Sequence, residues 1–346
     1  MPDVIAATGP RTAAEVLADS RDLLEPALRE AVDTLPLRMR HVAGYHFGWW
    51  DVDGGPTGRT GGKAIRPALT LLTARAVGDS AEPARPAAVA VELIHNFSLL
   101  HDDVIDGDLT RRHRPTAWSV FGQGAAILAG DALSTLAADV VASAGRGWSL
   151  EGVRMINTAV QTLIDGQSLD IDFEDRREVA PAECRRMAEA KTGALLSCAC
   201  AIGALSGGAE PAVVSRLGVF GARLGLAFQF VDDLLGIWGD PKTTGKPVYS
   251  DLHNRKKSLP VVAALSSGTA AAGELAELYG REAALETADL ARAATLIDES
   301  GGRAWSLEQI DVLFAEAMGS LADADLTQTS AAELESLARL IVHRDH

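Results

Sequence analysis

Apolar positions in this chain recur at helical spacing, and strand-type alternation with polar residues is never sustained. Ala- and Leu-rich runs at a 3.6-residue period cover Ala13 to Val42, Lys63 to Val77, Ala87 to Asp106, Ala125 to Ser143, Leu150 to Glu174, Pro181 to Leu205, Val213 to Gly236 and Leu259 to Leu265, with more following to Val342. Breakers separate them: a Gly-rich loop from Asp51 to Gly62, and Gly207 to Pro211. No hairpin signal and no repeat of fixed period is present. The pattern predicts an all-α fold, one domain over residues 12–346 behind a flexible tail at 1–11. Gly239 to Lys257 is the longest polar segment inside it, readable as a functional lid or as a solvated connector.

Composition narrows the classes. Of 346 residues 47% are hydrophobic and 23% charged, enough for a sizeable core. With 32 basic against 47 acidic residues the net charge is −15, which argues against nucleic acid as a partner. The opening residues do not resemble a signal peptide. The best apolar stretch, Gly193 to Leu205, falls short of the roughly 20 residues of a membrane span and reads as a buried helix. The expectation is therefore no transmembrane segment and a cytoplasmic location. Cys184, Cys198 and Cys200 lack metal-type spacing and read as small buried apolar residues.

Two aspartate clusters change this picture: HDDVID at His101 to Asp106 and VDDLLGIWGD at Val231 to Asp240. Each ends an apolar run and precedes cations: Arg111, Arg112 and Arg114 after the first, Lys242, Lys246, Lys256 and Lys257 after the second. Setting Asp102 at zero on a helical wheel puts Asp106 at about +40°, His95 at about +20°, Ser98 at about −40° and Asp103 about 100° away. Two carboxylates one turn apart on a half-buried face call for a metal or a cationic partner. Carboxylates beside cations suit a diphosphate with magnesium, because Mg²⁺ is commonly completed by substrate phosphates. Arg111 and Arg112 could fork onto phosphate or pair with Asp106 or Asp108, and position leaves that open.

The motifs GGKAIRP (Gly61 to Pro67), HNFSLLHDDVID (His95 to Asp106), RRHRPT (Arg111 to Thr116), GDAL (Gly130 to Leu133), GQSLD (Gly166 to Asp170), KTGAL (Lys191 to Leu195), FQFVDD (Phe228 to Asp233), GKPVYSDL (Gly245 to Leu252) and KKSLP (Lys256 to Pro260) stand in an order and spacing that resembles the trans-isoprenyl diphosphate synthases. The resemblance runs from about Leu37 to the C-terminus and implies a helical bundle around a deep central cavity, assembled as a homodimer. It implies condensation of an allylic diphosphate with isopentenyl diphosphate, with pyrophosphate leaving and acting as the base. Asp102 and Asp106, with Asp103 supporting, would hold Mg²⁺ on one side of the allylic diphosphate. Asp232, with Asp233 supporting, would hold it on the other, three ions in all. Arg111, Lys191, Thr192, Gln229, Lys246 and Lys256 would contact that diphosphate, and Lys63, Arg66, His95 and Arg112 that of isopentenyl diphosphate.

The chain also departs from the family pattern. Gly236 replaces the last aspartate of the second cluster, and Asp240 is one candidate substitute. Ala64 stands where a basic residue is common, and His113 where glycine is frequent. The DDLLGIWGDP and Tyr45 to Asp51 (YHFGWWD) segments resemble actinobacterial-type members, some of which are packaged in encapsulin shells through an N-terminal extension. Phe97 and Ser98 occupy the family's chain-length positions. A lone aromatic there points to geranylgeranyl diphosphate (C20), with farnesyl diphosphate (C15) as the alternative and Phe97 as ordinary helix packing the bland reading. A class I terpene cyclase and a non-catalytic partner subunit are the rival functions. The retained cationic positions speak against both.

Overall fold

A computed structural model describes residues 9–58, 62, 64–78, 80–241 and 248–343. Helix α1 spans Ala13–Asp33, started by a capping box between Thr12 and Glu15, and buries Val16, Leu17, Leu24, Leu28 and Val32 on one stripe. The expected run to Val42 is two helices. Pro36 disfavours helical backbone at Leu35, and α2 restarts at Leu37–Phe47. Of the expected tail, residues 1–8 lie outside the described residues, and with them most of the segment tied to shell packaging. Arg11 is bonded to the fully buried Glu333 at 2.8 and 2.9 Å.

The remaining helices are α3 (Ile65–Gly78), α4 (Arg85–Ile105), α5 (Ala117–Phe121), α6 (Gln123–Ser143), α7 (Ser149–Asp175), α8 (Pro181–Ala188), α9 (Ala194–Ser206) and α10 (Pro211–Trp238). After the segment outside the described residues come α11 (Ser250–His253), α12 (Leu259–Leu265), α13 (Ala270–Tyr279), α14 (Thr287–Glu299), α15 (Gly302–Ala322) and α16 (Gln328–Val342). The bundle is built by α10 packed between α9 and α15, α4 against α6, and α3 against α9. α4 is buried almost all round from Ala87 to Ile94.

Two expectations need correction. By length and composition three helical stretches among the described residues could cross a bilayer: Gln123–Ser143, Pro181–Ser206 and Pro211–Trp238. Ala, Gly and Leu on several faces make them apolar, and the second is 72% buried inside the bundle. A hairpin is also present where none was expected: β1 (Thr110–Arg111) pairs antiparallel with β2 (Arg114–Pro115). Its turn holds Arg112 and His113 left-handed at φ 52° and 60°, without the Asn-Gly signal such turns usually show.

Candidate active site

α4 brings the first cluster to its C-terminal end, where Asp106 is the capping residue. Asp103 is buried and accepts from Arg111 Nε at 2.6 Å. The carboxylate that Arg111 pairs with is thus Asp103, brought near by the hairpin, and not Asp106 or Asp108 as expected. Burial raises the Asp103 carboxyl to about 6 although Arg111 pulls it down, and Asp103 Oδ2 has no hydrogen-bond partner among the described residues. Burial raises the Asp102 carboxyl too, opposed by Lys191.

A single π-helical turn, Glu189–Gly193, joins α8 to α9 and carries Lys191 and Thr192. Gly166 of α7 permits this turn to sit close, since a Cβ there would lie 2.8 Å from Lys191 Cα. Lys191 Nζ bonds Asp170 Oδ2 at 2.6 Å, which brings the aspartate of the GQSLD motif into the site. Burial alone would lower the Lys191 ammonium, yet Asp170 and Asp102 outweigh it and raise it.

In the second cluster Asp233 is buried and spent internally. It accepts from Gln229 Nε2 at 2.7 Å and from Leu259 N at 2.8 Å, and Gln229 Oε1 accepts from Thr192 at 2.6 Å. Burial, then Asp251, raises its carboxyl to about 7. Asp232, on the opposite shoulder, stays exposed. Lys256 reaches the first cluster: its Nζ bonds Asp106 at 3.2 Å, and Asp106, Asp251 and Asp170 raise its ammonium against the lowering effect of burial. Asp240 lies past the α10 terminus, exposed.

A second cationic group lies behind the hairpin. Arg66 Nη1 is 3.4 Å from His95 Nε2, and burial together with Arg66 and Arg112 lowers the His95 imidazole well below its ordinary value. Nearby, a cavity of about 90 Å³ is lined by His46, Asp103, Arg111, Arg112 and Arg114 among others. Glu92 lies close to Arg112 and accepts from Asn96 at 3.0 Å; burial raises its carboxyl. Lys63, Lys242 and Lys246 fall outside the described residues. Ser98 donates to His95 O at 2.8 Å, while Phe97 is buried with its ring 4.8 Å from that of His101. His46, Asp170 and Asp251 escaped the sequence reading because the groups they face come from other segments, and Glu92 escaped it because its site-side neighbour Arg112 does, although Asn96 is local.

Among the described residues no three His, Cys, Asp or Glu side chains form a closed metal cage. The donor set still fits Mg²⁺: Asp102, Asp106 and Asp232 offer hard carboxylate oxygens beside fixed cations. This ion is usually held by one or two carboxylates plus substrate phosphates.

A helical bundle holding two carboxylate clusters around buried lysines and arginines has the layout of an enzyme that handles diphosphates. The polyprenyl synthetase family matches residues 57–297. The chain is 45% identical over 332 residues to the (2E,6E)-farnesyl diphosphate synthase of Mycobacterium tuberculosis, covering 95% of this chain and 92% of that one. It is 44% identical over 321 residues to the geranylgeranyl diphosphate synthase of the same organism, covering 92% and 91%. The crystal structure of a polyprenyl synthetase from Streptomyces coelicolor A3(2) superposes with a TM-score of 0.92 at 47% identity, covering 95% and 99%. The chain belongs to the polyprenyl synthetase family and is a short-chain trans-isoprenyl diphosphate synthase. Enzymes of this family depend on Mg²⁺ and join an allylic diphosphate to isopentenyl diphosphate.

Proposed function

We propose that this chain elongates an allylic diphosphate with isopentenyl diphosphate to geranylgeranyl diphosphate. The observation that supports the reaction is the Lys191–Thr192 turn, where Lys191 acts on Asp102 of the first cluster while Thr192 bonds Gln229, which in turn bonds Asp233 of the second. Asp102, Asp106 and Asp232 would hold magnesium, with Asp103 and Asp233 orienting the neighbouring cations and amides. Magnesium supplies charge neutralisation on the leaving pyrophosphate. Arg111, Lys191, Thr192, Gln229 and Lys256 position the allylic diphosphate, and fixed cations there favour ionisation of its C–O bond. Arg66, His95 and Arg112 hold isopentenyl diphosphate so that its double bond attacks the allylic carbon. The proton then lost passes to pyrophosphate. Lys63 and Lys246 complete the two sets by their motif positions. We place the enzyme in the cytoplasm.

The C20 product rests on Phe97 as the lone aromatic at the chain-length positions beside the small Ser98. The farnesyl-synthase relative supports C15 as the second reading. Purified protein with Mg²⁺, labelled isopentenyl diphosphate and, separately, dimethylallyl, geranyl and farnesyl diphosphate gives a C20 alcohol after dephosphorylation. A C15 product rejects the chain-length reading and keeps the reaction, whereas no elongation rejects the reaction. Phe97→Ala shifts the distribution toward longer chains; an unchanged distribution makes Phe97 a packing residue.

A further inference from the structure

The YHFGWWD segment ends α2 and runs past it, far in sequence from both aspartate clusters, yet it holds the hairpin that carries Arg111 and Arg112. Tyr45, buried near the end of α2, donates from its hydroxyl to Pro115 O at 2.9 Å. Arg114 returns the contact. Its Nη1 donates to Tyr45 O and its Nη2 to Trp50 O, each at 3.1 Å, and the guanidinium lies over the Tyr45 ring, 4.4 Å from the centroid. Gly48, left-handed at φ 85°, leaves room for this fork, since a Cβ there would lie 3.3 Å from Arg114 Nη1. Read along the sequence, Arg114 is a third cation beside Arg111 and Arg112. In the fold its guanidinium is spent on backbone carbonyls and an aromatic face.

The turn needs such a hold. Arg112 and His113 are both left-handed, a conformation that costs any L side chain and persists only where the surroundings enforce it. The two arginines also differ in what else steadies them. Arg111 has its own bond to Asp103 at 2.6 Å. Arg112 is exposed, and its guanidinium makes no hydrogen bond among the described residues. It lies against Gly62, where a Cβ would be 2.8 Å from Nη2. The direction of Arg112 therefore follows the turn.

We propose that Tyr45 and Arg114 are positioning residues of the isopentenyl diphosphate site: by clamping the strained turn to the end of α2, they hold Arg112 where that diphosphate binds. The inference rests on the proposed reaction. Loosening the clamp weakens the hold on isopentenyl diphosphate, through Arg112, more than on the allylic diphosphate, whose Arg111 is braced by Asp103.

Steady-state kinetics with geranyl and isopentenyl diphosphate, each varied in turn, compare the full-length wild type with Tyr45→Phe, Arg114→Lys and each of these combined with His113→Gly. Thermal melting reports folding in parallel. Tyr45→Phe loses one hydrogen bond and raises the KM for isopentenyl diphosphate about 5-fold, whereas Arg114→Lys loses a charged fork and raises it about 10- to 100-fold. The KM for geranyl diphosphate stays near wild type in both. His113→Gly, which takes up the left-handed turn without strain, recovers part of the loss. An unchanged KM for isopentenyl diphosphate in either folded variant overturns the proposal. So does an equal rise for both substrates, or a fall in kcat and melting temperature with neither KM moved, which would make the clamp a structural support only. No recovery from His113→Gly in either folded variant overturns it as well. Wild-type protein that forms no product overturns the proposed reaction, and this inference with it.

Discussion

His46 stands in the wall of the Arg111–Arg112 cavity, its Nε2 without a hydrogen-bond partner among the described residues. Burial, then Arg112 and Arg111, lowers its imidazole to about 3. The folded protein therefore holds His46 neutral while the unfolded chain takes up a proton near its ordinary value of about 6.5. The unfolded state binds more protons between those values, so stability is lost as pH falls from about 6.5 toward 3. The loss amounts to about 2 kcal/mol between pH 7 and pH 5, and His95, lowered for similar reasons, adds in the same direction. Urea unfolding at both pH values should show wild type losing about that much more than His46→Gln. Equal losses would mean that His46 is not held neutral. At this scale the i, i+4 pairing of Asp102 with Asp106 was legible from the helical period. The Arg111–Asp103 bond was not, since a hairpin turn with left-handed Arg112 and His113 brings it about.

Between elements, the closeness of α3 and α9 depends on Gly203. A Cβ there would overlap Thr73 Oγ1 and Thr70 O, and it would lie 3.0 Å from Thr70 C. Because Thr70 presents backbone, it cannot turn aside, and Gly203→Ala should destabilise by about 1–3 kcal/mol through overpacking. Gly218 of α10 is a control: its Cβ would meet Ala201 Cβ at an ordinary 3.4 Å. Gly218→Ala should be neutral or stabilise by up to about 1 kcal/mol from helix propensity. Chemical unfolding of the pair checks this, and similar losses in both would remove the packing argument. Helix identity and the ends of the long helices between Ile65 and Leu265 were legible to within a few residues, since period and breakers are local, while the helices after Leu265 had no bounds read for them. The break at Pro36 was passed over within a continuous apolar run, and the π-turn at Lys191 has no sequence signature because packing against Gly166 accompanies it.

For the whole molecule, large apolar side chains remain exposed on two adjacent helices: Ile127 and Leu128 on α6, and Leu150, Ile164 and Ile171 on α7. Exposed apolar side chains on neighbouring helices are candidates for a partner surface. A homodimer through this face is expected from light scattering at micromolar concentration, and Leu128→Glu with Ile164→Glu should yield monomers. A monomeric wild type, or a double variant that stays dimeric, would exclude this interface. The sequence by itself determined the helical class, the family and the first aspartate cluster, because helical period, breakers and motif spacing are written within short windows. Only the tertiary structure decided that Arg111 pairs with Asp103, that Lys256 bridges to Asp106 and that Asp251 fills the space at Gly236. Each of these joins residues from separate elements, and no local pattern specifies which distant side chain will arrive.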